Sequence, residues 1–142
     1  MAYINQDGKK VIVNAYKDLF KKMGIKARVT AKIRNYSSIQ ITIKSEDVLE
    51  RIKHAYMSQL VIENGVMNMD FLKRELGYIA QIENGEDQDV RIYSNYTMED
   101  VDAKNFLHKL YETAKAHEWF DKSEPMTDYF HTAYYFDVAV KL

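Results

Sequence analysis

The sequence predicts an α+β domain: a four-stranded, mainly antiparallel sheet with helices packed on one face, in the order α-β-β-α-α-β-α-β. Three observations carry this expectation. Two adjacent segments, IKARVTAKIR and SIQITIKS, alternate apolar and polar residues with period two. Four other segments repeat apolar residues at helical spacing. The closing stretch DYFHTAYYFDVAVKL alternates again.

Each element follows from local pattern. Residues 9–23 place Ile12, Ala15, Tyr16, Leu19, Phe20 and Met23 on one helical stripe, and Gly24 is a natural stop. The next two segments put Ala27, Val29, Ala31, Ile33 and then Ile39, Ile41, Ile43 on one side. The NYSS between them is turn chemistry, so the pair reads as a hairpin. Its outer side is basic: Arg28, Lys32, Arg34 and Lys44, with Gln40.

Ser45 reads as the cap of a second helix, with Glu46 and Asp47 in its first turn and Val48, Leu49, Ile52, Ala55, Tyr56 and Leu60 inward. MDFLKRELGYIAQI reads as a third helix, weakened by Gly77, and ENGEDQD as a loop. VRIYSNY reads as a strand with Val90, Ile92, Ser94 and Tyr96 on one side and Arg91, Tyr93 and Asn95 on the other. Thr97 would then cap a helix running to about His117, with Val101, Leu107, Leu110, Tyr111 and Ala114 inward. The last strand would turn Phe130, Thr132, Tyr134, Phe136, Val138, Val140 and Leu142 to one face, and Tyr129, His131, Tyr135 and Asp137 to the other. At 142 residues the chain is expected to be a single domain, 1–142, with a helical insertion at about 61–85.

Composition removes several function classes. Without cysteine there is no disulfide, no thiolate nucleophile and no cysteine metal site. The five glycines do not cluster, so the common phosphate loops are absent. HEWFD begins like a zinc helix, but Asp121 stands where the second histidine is needed. Glu83, Glu86, Asp87 and Asp89 lack the calcium-loop spacing. No metal, no cofactor and no catalytic set is therefore expected. The N-terminus has no apolar signal core, and no apolar run is long enough for a membrane span.

Charge is uneven although the net is −1. Residues 1–44 hold ten Lys/Arg against two acids, and the remainder holds ten against nineteen. A basic layer beside an acidic one accounts for this by self-complementation, and an anionic partner accounts for it by docking. For the second reading the candidate contacts are Arg28, Lys32, Arg34, Tyr36 and Lys44. Residues 9–44 would then suit nucleic acid, with phosphates on the cations and a base on Tyr36. Eleven tyrosines suit a macromolecular contact surface, and Asp128, Tyr129, His131, Tyr135 and Asp137 form a second candidate face. His131 with Asp128 or Asp137 is the one arrangement that suits acid–base chemistry. A half-exposed sheet face needs no chemistry at all.

The stretch DKSEPMTDYF reads first as a turn, since Pro125 disfavours a helical Glu124 and Asp121 and Ser123 can bond nearby backbone N–H groups. Its Asp121, Ser123, Glu124, Met126, Thr127, Asp128, Tyr129 and Phe130 also resemble a C-terminal motif of an uncharacterised domain family associated with large polyvalent proteins of phages and conjugative elements. GIKARVTAKIRNYSSIQITIKS resembles that family's first hairpin, without its Gly-rich turn and downstream Trp. The resemblance covers residues 10–52 and 88–142. It implies a phage or mobile-element origin and the cytoplasm of a bacterial host. It also implies stoichiometric binding to a host protein or ribonucleoprotein complex, as an anti-defence, anti-CRISPR-like inhibitor. The family brings no activity and no fixed oligomeric state with it.

Overall fold

The computed structural model describes residues 3–35, 37–60, 68–94, 96–117, 119 and 134–142. Tyr36, Asp128, Tyr129, His131 and the whole DKSEPMTDYF stretch lie outside the described residues. The fold is α+β: four helices and a four-stranded sheet. The first helix, α1, spans Gln6–Met23, and the hairpin follows as β1 (Arg28–Asn35) and β2 (Ser38–Lys44). Then come α2 (Glu46–Leu60), α3 (Met69–Glu83), the short β3 (Val90–Ile92), α4 (Val101–Glu112), a 3-10 turn at Thr113–Lys115, and β4 (Tyr135–Lys141).

The sheet order is β1-β2-β4-β3. The pairs β1/β2 and β3/β4 are antiparallel, as expected for a mainly antiparallel sheet, while β2 and β4 run parallel. A parallel pair needs a crossover, and here the chain between them supplies α2, α3, β3 and α4. The inner face carries Ile39, Ile41, Ile43, Val90, Ile92, Val138 and Val140, all buried. It joins one core with Ile12, Tyr16 and Phe20 of α1, Ile52 and Tyr56 of α2, Leu72 and Ile79 of α3, and Leu107 and Leu110 of α4. Each such aliphatic side chain contributes about 1.5–3 kcal/mol by leaving water.

The element ends show which local signals operate. Gly24 adopts φ 68°, ψ 26°, and its N–H and that of Ile25 bond back to the carbonyl of Phe20. Ser45 caps α2 as expected. Its hydroxyl accepts from Val48 N–H (3.1 Å) and donates to the Lys26 carbonyl (2.6 Å), which also ties the helix to the strand entrance. At the front of α1, Asn5 accepts from Gly8 N–H, so the helix starts at Gln6, three residues before the segment 9–23 expected from the sequence.

Four expectations need correction. The cap of α4 is Asp100, accepting from Asp102 and Ala103 N–H at 3.1 and 3.2 Å, and not Thr97. Starting there, the helix turns Val101 outward, 63% exposed, and buries Phe106 instead. The third strand stops at Ile92 because the Tyr93 N–H donates to the Tyr96 hydroxyl (3.1 Å) instead of to a neighbouring strand, and Ser94 is exposed. Leu142 lies beyond the last paired residue, Lys141, and is exposed.

Buried tyrosines lock the layers together. The Tyr16 hydroxyl donates to the Leu110 carbonyl (2.5 Å) and that of Tyr134 to the Ala114 carbonyl (2.7 Å), so α1 and β4 both hold the end of α4. Tyr56 and Tyr96 share a hydroxyl–hydroxyl bond at 3.1 Å. Trp119 Nε1 donates to the Tyr134 carbonyl (2.9 Å). Burial raises the pKa of all four hydroxyls, to about 12 for Tyr96 and Tyr134 and further for Tyr16 and Tyr56.

A phenol whose folded pKa is raised stabilises the fold fully below its unfolded pKa near 10, and this is lost as pH rises through the folded value. Alkaline titration is therefore expected to show a class of tyrosines that ionises only as the chain unfolds, between about pH 10 and 12. Tyrosinate absorbance followed alongside circular dichroism checks this; four early, independent ionisations would contradict it. Gly8 gives a second expectation. A Cβ there would stand 2.6 Å from Ile4 Cδ1 and 2.7 Å from His117 Cδ2. Gly8→Ala should thus destabilise by about 1–3 kcal/mol through overpacking, outweighing the roughly 1 kcal/mol gain in helix propensity, as read from denaturant midpoints.

Candidate functional site

The outer face of the sheet is the side away from the core. Period-two alternation in β1 and β2 turns Arg28, Thr30, Lys32, Arg34, Gln40, Thr42 and Lys44 to it. Strand register then sets rows across the sheet. Arg28 pairs with Lys44, which pairs with Lys141. Lys32 pairs with Gln40, which pairs with Asp137. Thr30, Thr42, Ala139 and Arg91 form the row between them. Ala139 is buried although it faces outward, since long polar neighbours surround it.

Asp137 is the centre of the polar contacts on this face. Arg34 Nη1 lies 3.9 Å and Arg91 Nη1 3.6 Å from its Oδ2. Arg34 also donates to Gln40 Oε1 from Nη2 (2.7 Å) and Nε (3.2 Å). The other carboxylate oxygen, Oδ1, is buried with no hydrogen-bond partner. Lys141 pairs with Asp87 at 3.0 Å. Arg28, Lys32 and Lys44 make no ion pair among the described residues, and all three are exposed. Tyr135 is 52% exposed. At the Arg28–Lys44 end the face borders an open cleft of about 680 Å³ lined also by Lys26, Glu46, Asp47 and Glu50.

The sequence-based candidates Arg28, Lys32, Arg34 and Lys44 thus share one surface. Tyr135 and Asp137 belong to the same surface and not to a second one, because β4 pairs directly with β2. Tyr36, Asp128, Tyr129 and His131 lie outside the described residues. Arg91 and Lys141 were missed as members. Each was legible as an outward residue of its own strand, but only the order β2-β4-β3 carries them to the hairpin. Of the other histidines, His54 is exposed on α2, His108 half-buried on α4, and His117 half-buried against Gly8. Among the described residues no group of three or more His, Asp or Glu could hold a metal ion, and no helix is long and apolar enough to cross a membrane.

The face has the chemistry of an anion-docking surface: six cations against Asp137 and Asp87, interleaved with Gln and Thr donors and one exposed phenol. Compared with protein-family models, with curated proteins and with solved structures, the chain matches none.

The Arg34–Asp137–Arg91 cluster is half-exposed and its separations are long, so it contributes little to stability. Asp137→Asn is expected to change unfolding stability by less than about 1 kcal/mol while raising affinity for a polyanion such as heparin. A large loss of stability, or an unchanged heparin-column elution position, would show that the cluster is a structural brace.

Proposed function

We propose that this chain is a stoichiometric binding protein of phage or mobile-element origin, acting on a host protein or ribonucleoprotein complex as an anti-defence, anti-CRISPR-like inhibitor in the cytoplasm of a bacterial host. The observation that carries the binding part is the sheet face on which the exposed Arg28, Lys32 and Lys44 have no ion partner among the described residues. Strands hold these cations at fixed backbone spacing, so docking on an anionic surface orders their side chains but needs no backbone rearrangement. The cations also steer encounter through their summed field. The origin and the anti-defence role rest on the resemblance of the hairpin and of the Asp121–Phe130 motif to domains of mobile elements.

Direct nucleic-acid binding is the second reading, favoured by the same cations together with the exposed Tyr135. Catalysis is the weakest: in the pairing of His131 with Asp137, the carboxylate already stands between two arginines.

The test is the triple reversal Arg28→Glu, Lys32→Glu, Lys44→Glu, compared with Lys22→Glu on α1, outside the sheet. Stable complexes isolated from bacterial lysate at moderate salt should lose at least about tenfold of their yield with the triple variant and keep it with the control. Equal recovery with both would remove the sheet face as the contact. Tight binding of purified chain to naked DNA or RNA would instead select the second reading, with log affinity falling against log salt at about 0.7–0.9 per phosphate neutralised.

A further inference from the structure

A second feature lies at the β3 edge and shares only Arg91 with the cationic rows. Glu75 of α3 is 1% exposed, and neither carboxylate oxygen has a hydrogen-bond partner. Arg74 Nε forms an ion pair with Oε1 at 3.5 Å, and the Tyr93 hydroxyl is near enough to favour the charged carboxyl. Arg74 is itself drawn outward, its guanidinium 5.5 Å from the Phe71 ring centroid. Glu75 lines a cavity of about 300 Å³ between α3 and the β3 edge, together with Tyr78, Gln88, Asp89, Arg91 and Tyr93. Arg91, the cation in that lining, is engaged by Asp137 on the outer face.

A buried carboxylate with one ion pair at 3.5 Å and no hydrogen bond among the described residues is costly, and a native chain keeps one where something else completes it. We propose that this cavity is a binding site for a primary alkylammonium group, as carried by a small amine or a lysine side chain. An ammonium brings three donors in a small volume, enough for both Glu75 oxygens and a third acceptor. Asp89 adds a second negative charge, and the Tyr78 and Tyr93 rings offer faces to a cation. A metal ion is less suited, since two carboxylates are fewer than a hard cation requires. Burial raises the Glu75 pKa, with Arg74 and Tyr93 opposing and Asp89 adding to the rise. An arriving ammonium would reverse that shift by stabilising the charged form. None of this depends on the reading of the sheet face.

The test is titration of the isotope-labelled chain with n-butylammonium, followed by amide NMR, with n-butanol and butyrate as isosteric neutral and anionic probes. Saturable shifts confined to the amides of residues 75, 88, 89, 91 and 93 are expected, with a dissociation constant in the millimolar range for so small a probe. The two control probes should bind at least tenfold more weakly. Glu75→Gln, which keeps the shape, should weaken butylammonium at least tenfold, and Asp89→Asn several-fold. Equal shifts with n-butanol would overturn the proposal, as would undiminished binding in Glu75→Gln. If that variant fails to fold, the comparison of three probes on the unaltered chain, with Asp89→Asn, still decides. Nα-acetyl-lysine amide, titrated in parallel, separates the two sources: binding as tight as butylammonium indicates a lysine side chain, and exclusion indicates a free amine.

Discussion

The parallel pairing of β2 with β4 is the constraint on which the rest of the structure depends. It joins residues 38–44 to residues 135–141 in an unbroken register from Ser38↔Tyr135 to Lys44↔Lys141. The strand β3 has no other partner in the sheet, so it is attached only through β4. The inner residues Ile39, Ile41, Ile43, Val138 and Val140 become one apolar surface only when those two strands lie side by side. Such a long-range contact comes with a large loop-closure entropy. The burial of that surface under four helices is what offsets it.

Hydrogen bonds from buried phenols finish what the apolar contacts begin. Tyr16 holds the Leu110 carbonyl in the last turn of α4, and Tyr134 the Ala114 carbonyl in the 3-10 turn that follows, where carbonyls lack intrahelical donors. They satisfy those carbonyls and bring α1, α4 and β4 to one point. Tyr56 and Tyr96 do the same for α2 and the chain after β3, and Tyr96 also ends that strand. The core is thus scrupulous about its hydroxyls. Glu75 stands out because, among the described residues, the same core gives its carboxylate no hydrogen bond beyond the Arg74 ion pair, as it gives none to the amide nitrogen of Gln59.

Charge is arranged by the same pairing. Among the described residues only Arg34 of the basic hairpin reaches a carboxylate, Asp137, while Arg28, Lys32 and Lys44 find none within ion-pair range. The acids go elsewhere: Glu83 to Lys53, Asp47 to Arg51, Asp87 to Lys141. Asp137 enters the cationic rows, placed there by β4 and flanked by Arg34 of β1 and Arg91 of β3. Self-complementation therefore accounts for one end of the face and leaves its β1 side open.

Local pattern was enough for the hairpin, for the stripes of α1, α2 and α3, and for the stops at Gly24 and Ser45, because period and capping act within a few residues. It was also enough to turn Arg28, Lys32, Arg34 and Lys44 outward. It misplaced the cap of α4, where Thr97 and Asp100 are both good caps and burial of Met98 leaves Asp100 in position. It overextended β3, because the Tyr93 N–H turns to the phenol three residues on, and Tyr96 is itself held by Tyr56 of α2. Strand order lay beyond it altogether: alternation says which way a side chain points and nothing of its neighbours in the sheet. Whether Asp137 and Tyr135 joined the hairpin's cations, and whether Glu75 met a cavity instead of solvent, depended on contacts between residues far apart in the chain, which only the packed core brings together.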